Sequence, residues 1–199
     1  MKIICIGRNY RGHDKGFKSP APKEPMFFVK PDTALLRTDH FYIPSYSKNI
    51  HYELELVVKI KKVGKCISKK FAPNYYDEVS IGLDFTARDL LDKCIKNGMP
   101  WELAKGFDSS APIGKWYQKK ELKSLDFHLL KNGEKVQEGS PSQMFFDIDT
   151  IIEYVSKFMT LKKGDLIYTG TPAGVGKIEP GDLYQGYLNG QKTLELRVL

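Results

Sequence analysis

The 199-residue sequence predicts a β-rich α+β fold. Three observations carry that expectation. Asn132-Gly133 and Asn189-Gly190 each lie between apolar runs, and Asn-Gly tolerates the two positive φ angles of a tight hairpin turn. Residues 52–60 alternate apolar and polar side chains with the period of two that a strand imposes. Helical periodicity is confined to two short stretches.

In chain order, the run Ile3-Ile4-Cys5-Ile6 predicts a strand over Lys2 to Ile6, followed by strands at Met26 to Val29, Tyr52 to Ile60 and Val79 to Leu83. A helix is expected to begin at Thr86, where Thr86-Ala87-Arg88-Asp89 has the form of a capping box. It should stop at Asn97-Gly98, ahead of Pro100. Phe127 to Leu130 and Val136-Gln137 form the first hairpin. A second helix covers Ile148 to Phe158, with Ile151, Ile152, Val155 and Met159 on one face and Asp147 or Asp149 near its start. Asp165 to Tyr168 is a further strand, and Leu183 to Leu188 pairs with Thr193 to Val198 in the second hairpin. No repeat, low-complexity tract or linker interrupts the chain, so residues 1–199 are read as a single domain.

Hydrophobic residues make up 41% of the chain and charged residues 28%, as in soluble globular proteins. No apolar run reaches membrane-spanning length, and Met1-Lys2 enters the first strand without a signal-peptide pattern, so a cytoplasmic protein without a membrane partner is expected. Cys5, Cys66 and Cys94 are odd in number and form no Cys-x-x-Cys pair, which argues against a disulfide framework or structural zinc. The net charge of +7 comes from lysines scattered beside turns, with no recognition-helix or RNA-binding signature. Attraction of small anionic substrates, rather than nucleic acid, is the expected use of that field.

On the 52–60 strand, Tyr52, Leu54, Leu56, Val58 and Ile60 share one face and His51, Glu53 and Glu55 the other. Two adjacent carboxylates are unfavourable unless water bathes them or a cation sits between them. The pattern therefore fits either a half-exposed strand or a site for a hard cation such as Mg²⁺, Mn²⁺ or Ca²⁺. Asp84, at the end of the next strand, is a third carboxylate or a turn residue. Lys105, in Trp101-Glu102-Leu103-Ala104-Lys105-Gly106, is a surface lysine or, beside such a cluster, a group that stabilises an enolate. The glycines of Tyr168-Thr169-Gly170-Thr171-Pro172-Ala173-Gly174-Val175-Gly176-Lys177 form turns or cradle a carboxylate. A phosphate-binding P-loop is excluded, because five residues separate Gly170 from Gly176 where the motif has four, and Ile178 stands where Ser or Thr belongs. His13, in a polar loop after the first strand, is a general base or a solvated side chain.

Taken in order, Gly7-Arg8-Asn9-Tyr10, Phe28-Val29-Lys30-Pro31, His51 to Glu55, Asp84 to Asp89, Trp101 to Asp108 and Thr169 to Gly176 resemble the fumarylacetoacetate hydrolase family, specifically its short acylpyruvase and oxaloacetate decarboxylase or tautomerase members. The resemblance implies a mixed β-roll, usually a homodimer, whose first 25 residues include a lid. It implies Mg²⁺ or Mn²⁺ on Glu53, Glu55 and Asp84, with Lys105 beside the metal, Arg8 and Tyr10 near a 2-oxo acid substrate, and Thr171 at its carboxylate. The implied activity is hydrolysis of acylpyruvates, or decarboxylation or tautomerisation of oxaloacetate. Isomerisation of longer unsaturated diacids and a catalytically silent metal-binding protein are the alternatives.

One departure bears on the reaction. Family hydrolases pair the lid histidine with a glutamate three residues on to activate water, and Gly16 stands at that spacing from His13. Gly16→Glu should raise acetylpyruvate hydrolysis relative to oxaloacetate decarboxylation at least ~10-fold, within the span of a general base. An unchanged ratio of the two turnover rates would mean that another base serves.

Overall fold

Alternation along the first strand sets up burial on both faces of the central sheet. Ile3 and Cys5 point into a small apolar cluster with Val57, Leu166 and Tyr168, whereas Ile4 and Ile6 point into the main core. A strand covered on both sides reads as a continuous apolar run, which is why Ile3-Ile4-Cys5-Ile6 lacks polar alternation. In the computed structural model, which describes residues 1–12 and 22–199, this strand spans Ile3–Gly7. It runs parallel to Leu166–Tyr168 and antiparallel to Met26–Lys30. The six-stranded sheet continues through Leu54–Ile60 and Tyr76–Leu83 to Tyr117–Gln118.

A five-stranded sheet packs against it, with Phe127–Lys131, Glu134–Gly139, Leu183–Leu188, Gln191–Val198 and His40–Phe41. Both Asn-Gly turns form as expected, with Asn132 and Gly133 at φ 53° and 86° and Asn189 and Gly190 at 50° and 75°. The sheets approach closely at Gly186, where a Cβ would lie 2.7 Å from the Ile81 side chain. The arrangement is the strand-rich, mixed architecture expected of the β-roll.

Among the described residues, three α-helices flank the sheets: α1 (Arg88–Asn97), the single turn α2 (Glu102–Lys105) and α3 (Ile148–Phe158). Gly98, at φ 63°, ends α1 as a left-handed cap. The start of α1 differs from the capping-box expectation. Thr86 and Ala87 form a short strand against Ile50–Tyr52, Ala87 is the N-cap without a side-chain bond, and the Thr86 hydroxyl is used elsewhere. No described helix is long and apolar enough to cross a membrane, and all three cysteines are free thiols.

Helix α3 buries Ile148, Ile151, Ile152 and Val155, and Asp147, not Asp149, caps it by accepting a 2.8 Å bond from the Thr150 amide. Partial burial pushes the Asp147 carboxyl up, but the Thr150 and Lys69 hydrogen bonds outweigh it and hold the group below its usual range. Its contribution is therefore present above the unfolded carboxyl pKa and is lost as pH falls through the lower folded value. Asp147→Ala should cost about 1 kcal/mol in urea unfolding at neutral pH. The difference from the parent should shrink on acidification below about pH 4, and a pH-independent difference would contradict the cap.

Candidate active site

The site forms where the pairing of Leu54–Ile60 with Tyr76–Leu83 runs out. Leu54 is the last paired residue opposite Leu83, so Glu53 and Asp84 emerge side by side at the open end, with the Asp84 amide donating to the Glu53 carbonyl at 2.8 Å. Glu55, two residues from Glu53, projects on the same face. One carboxylate oxygen from each of Glu53, Glu55 and Asp84 lies within 4.8 Å of the others. The strand expected over Tyr52 to Ile60 is interrupted at Glu53, where the Leu54 amide turns to the Gln137 side chain at 2.8 Å.

Burial decides between the two readings of the Glu-x-Glu pair. Glu55 is 2% exposed and Asp84 1%, so this is not the solvated face of an edge strand. Cations and backbone donors balance much of the charge. Lys105, brought in by α2, donates to Glu53 Oε2 at 2.9 Å, Asp84 Oδ2 at 2.8 Å and the Thr86 hydroxyl. Lys30 lies behind Asp84, 2.8 Å from Oδ1 in an ion pair whose angles fall short of a hydrogen bond, while its ammonium donates to Phe85 O, Ser110 O and Ser110 Oγ. The Gly170 amide donates to Glu55 Oε2 at 2.7 Å. Gly170 has φ 100°, and a Cβ there would lie 2.8 Å from that of Asn9, so glycine alone allows this close approach.

Burial pushes the Glu55 carboxyl well up, and neighbouring Asp84 and Glu53 push it further. Burial would raise Asp84 as well, but Lys105 and Lys30 hold it below its usual value. Burial works against the Lys105 ammonium, yet Asp84 and Glu53 outweigh it and raise its pKa. The donor set is three carboxylates with no thiol or imidazole among the clustered groups, which suits a hard cation that prefers oxygen.

These groups line a cavity of about 290 Å³. Of the residues expected at the site, Arg8, Glu53, Glu55, Asp84, Lys105 and Thr171 meet there. Tyr10 does not: it bridges to Met144, and its fully buried ring packs edge-on against Phe127 in the main core. His13 and Gly16 lie outside the described residues. His51 turns aside to bond Asn49 Oδ1 at 3.0 Å.

Sequence reasoning missed Lys30, Thr86 and Gln137. Gln137 Nε2 donates to Thr171 Oγ1 at 2.9 Å while its Oε1 receives the Leu54 amide, tying the glycine-rich turn to the strand break. Lys30 carried two signals, its place at the end of an apolar strand and its presence in Phe28-Val29-Lys30-Pro31, but neither points to Asp84 as its partner. Gln137 carried no signal, because its partners are 34 and 83 residues away.

The chain belongs to the fumarylacetoacetate hydrolase family: the model of the Fumarylacetoacetate (FAA) hydrolase C-terminal family matches residues 2–199. Its relatives include Oxaloacetate tautomerase FAHD1, mitochondrial, of Bos taurus, 42% identical over 98% of this chain and 90% of that protein. Oxaloacetate decarboxylase, mitochondrial, of Dictyostelium discoideum is 38% identical over 96% of this chain and 90% of that protein. Among solved structures, fumarylpyruvate hydrolase from Pseudomonas aeruginosa in complex with Mn²⁺ and pyruvate superposes with a TM-score of 0.93 at 36% identity, covering 100% of this chain and 89% of the other.

Lys30 and Asp84 are both almost fully buried, so removing one charge strands the other. Lys30→Met should lower stability to urea by roughly 3–5 kcal/mol. A loss under about 1 kcal/mol would mean that Lys105 alone compensates Asp84.

Proposed function

We propose that this protein is a divalent-metal-dependent enzyme of small 2-oxo acids that cleaves the carbon–carbon bond of acylpyruvates. The observation that carries the reading is the convergence of two buried carboxylates, Glu55 and Asp84, with the partly exposed Glu53 and the buried Lys105 in one cavity. Glu53, Glu55 and Asp84 would hold Mg²⁺ or Mn²⁺. When bound, the cation supplies Lewis acidity at the 2-oxo group.

The chain's own residues are assigned the remaining work. Gln137 Nε2 donates to the Thr171 hydroxyl oxygen, and the hydroxyl itself donates to Pro172 O across a long 3.5 Å, a weak bond that a better acceptor would displace. A substrate carboxylate is a suitable acceptor for that proton, and the Arg8 guanidinium on the cavity wall supplies positive charge for the same group. In the cleavage, water adds to the C4 carbonyl, the C3–C4 bond breaks, and its electron pair becomes the C2–C3 enolate of pyruvate, which is then protonated at C3. The Lys105 ammonium offsets the charge that develops on the enolate oxygen. His13 is assigned as the base that takes the proton from water.

Oxaloacetate is the second reading, favoured by Gly16. Loss of CO₂ or of a C3 proton from oxaloacetate forms an enolate on the same 2-oxo acid frame without nucleophilic water. The names of the relatives point the same way.

Acetylpyruvate and oxaloacetate should be compared with Mg²⁺, with Mn²⁺ and after chelation. Cation-dependent acetylpyruvate cleavage is expected; turnover confined to oxaloacetate would favour the second reading, and chelator-insensitive turnover would reject both. Glu53→Gln should lower kcat/KM by at least ~100-fold while the circular dichroism spectrum is kept. Undiminished turnover would remove Glu53 from the ligand set.

A further inference from the structure

The cavity lining is of two chemical kinds. Beside the three carboxylates, Lys105, Arg8 and Arg88 it includes the apolar side chains of Met26, Phe28, Leu91, Ile95 and Trp101. Like Leu103 of α2, Ile95 is an apolar side chain left on the surface. It is 56% exposed, lies one turn after the buried Leu91 on α1, and is flanked by Asp92, Lys93 and Lys96. The two kinds meet at Phe28, where the Lys105 ammonium lies 5.0 Å from the ring centroid. Met26, Phe28 and Trp101 also line an adjoining groove of about 300 Å³ that extends past Val29 and Met99. A chain leaving the carboxylate cluster therefore meets a mostly apolar path, with Glu102 and Lys105 at the groove as its charged neighbours.

We propose that this path is an acyl-tail subsite, and that the substrate is a 2-oxo acid with an aliphatic tail of several carbons rather than a dicarboxylate. The proposal rests on the assignment of the polar end to the 2-oxo acid head. Burial of methylene groups against Leu91, Ile95 and Trp101 is favourable, and Met26 and Met99 adapt to tails of different shape. A second carboxylate at this end would lose water to an aromatic and aliphatic wall. Arg88, which also lines the cavity, is already paired with Asp92 at 3.2 Å.

The test is calorimetric titration, in the presence of Mg²⁺, with 2-oxo acids that lack a 4-oxo group and cannot be cleaved: pyruvate, 2-oxopentanoate and 2-oxooctanoate, with 2-oxoglutarate as the five-carbon dicarboxylate. Kd should fall by about fourfold per added methylene, with an increasingly negative heat-capacity change. 2-Oxopentanoate should bind more tightly than 2-oxoglutarate. Leu91→Gln and Ile95→Gln should each flatten the dependence of log Kd on tail length. Affinity independent of tail length, tighter binding of 2-oxoglutarate, or a slope unchanged in both variants would overturn the tail subsite while cation-dependent pyruvate binding left the head-group assignment standing. Pyruvate binding indifferent to chelation would instead overturn the head-group assignment, and this proposal with it.

Discussion

Two buried carboxylates, Glu55 and Asp84, the partly exposed Glu53 and two buried lysines form the constraint around which the rest of this molecule is arranged. Each charge buried alone would cost several kcal/mol, and the cost is offset only if donors and counter-charges arrive with good geometry. Lys30 reaches Asp84 from behind as an ion pair, while its ammonium donates to Phe85 O, Ser110 O and Ser110 Oγ. Lys105 bridges Glu53 and Asp84 from α2, and the Gly170 amide reaches Glu55 from the turn after Leu166–Tyr168. These groups come from separate segments, so the cluster is complete only when the six-stranded sheet is assembled.

The loops at the end of that sheet are held by polar side chains. Asn9, fully buried, donates to Thr169 O and Phe146 O and accepts from the Phe146 amide, which pins the segment carrying Arg8 against the glycine-rich turn carrying Thr171. Gln137 pins the same turn from the other sheet. Two amides thus keep positions 8 and 171 on one cavity wall. The precision of the site resides in neutral hydrogen bonds as much as in the charges.

The apolar wall has a different origin. Helix α1 buries Leu91 and Cys94 to hold itself on the sheet, while Ile95 is left at the cavity mouth. Trp101 belongs to the link between α1 and α2, the same turn that delivers Lys105. One short helical connection therefore provides both the cation of the polar end and part of the apolar end, coupling the chemistry of the head group to the space for whatever follows it.

Local rules made much of this legible. Asn-Gly hairpins, the Gly98 stop, the face of α3 and the shared face of Glu53 and Glu55 follow from backbone geometry over a few residues, and those held. The ordered motifs also brought Arg8, Asp84, Lys105 and Thr171 to attention. Tertiary packing decided the rest. Thr86 looked like a helix cap because its local spacing allows one, but its hydroxyl goes to Glu53, 33 residues away. Tyr10 looked like a substrate contact and is core, because the chain turns inward to pair with Met144. The sequence by itself determined which elements form and which carboxylates share a face. Only the assembled sheets decided that Glu55 and Asp84 are buried, that Lys30 and Lys105 balance the carboxylates and that Gln137 ties the glycine-rich turn to the strand break, because desolvation and pairing depend on distance in space.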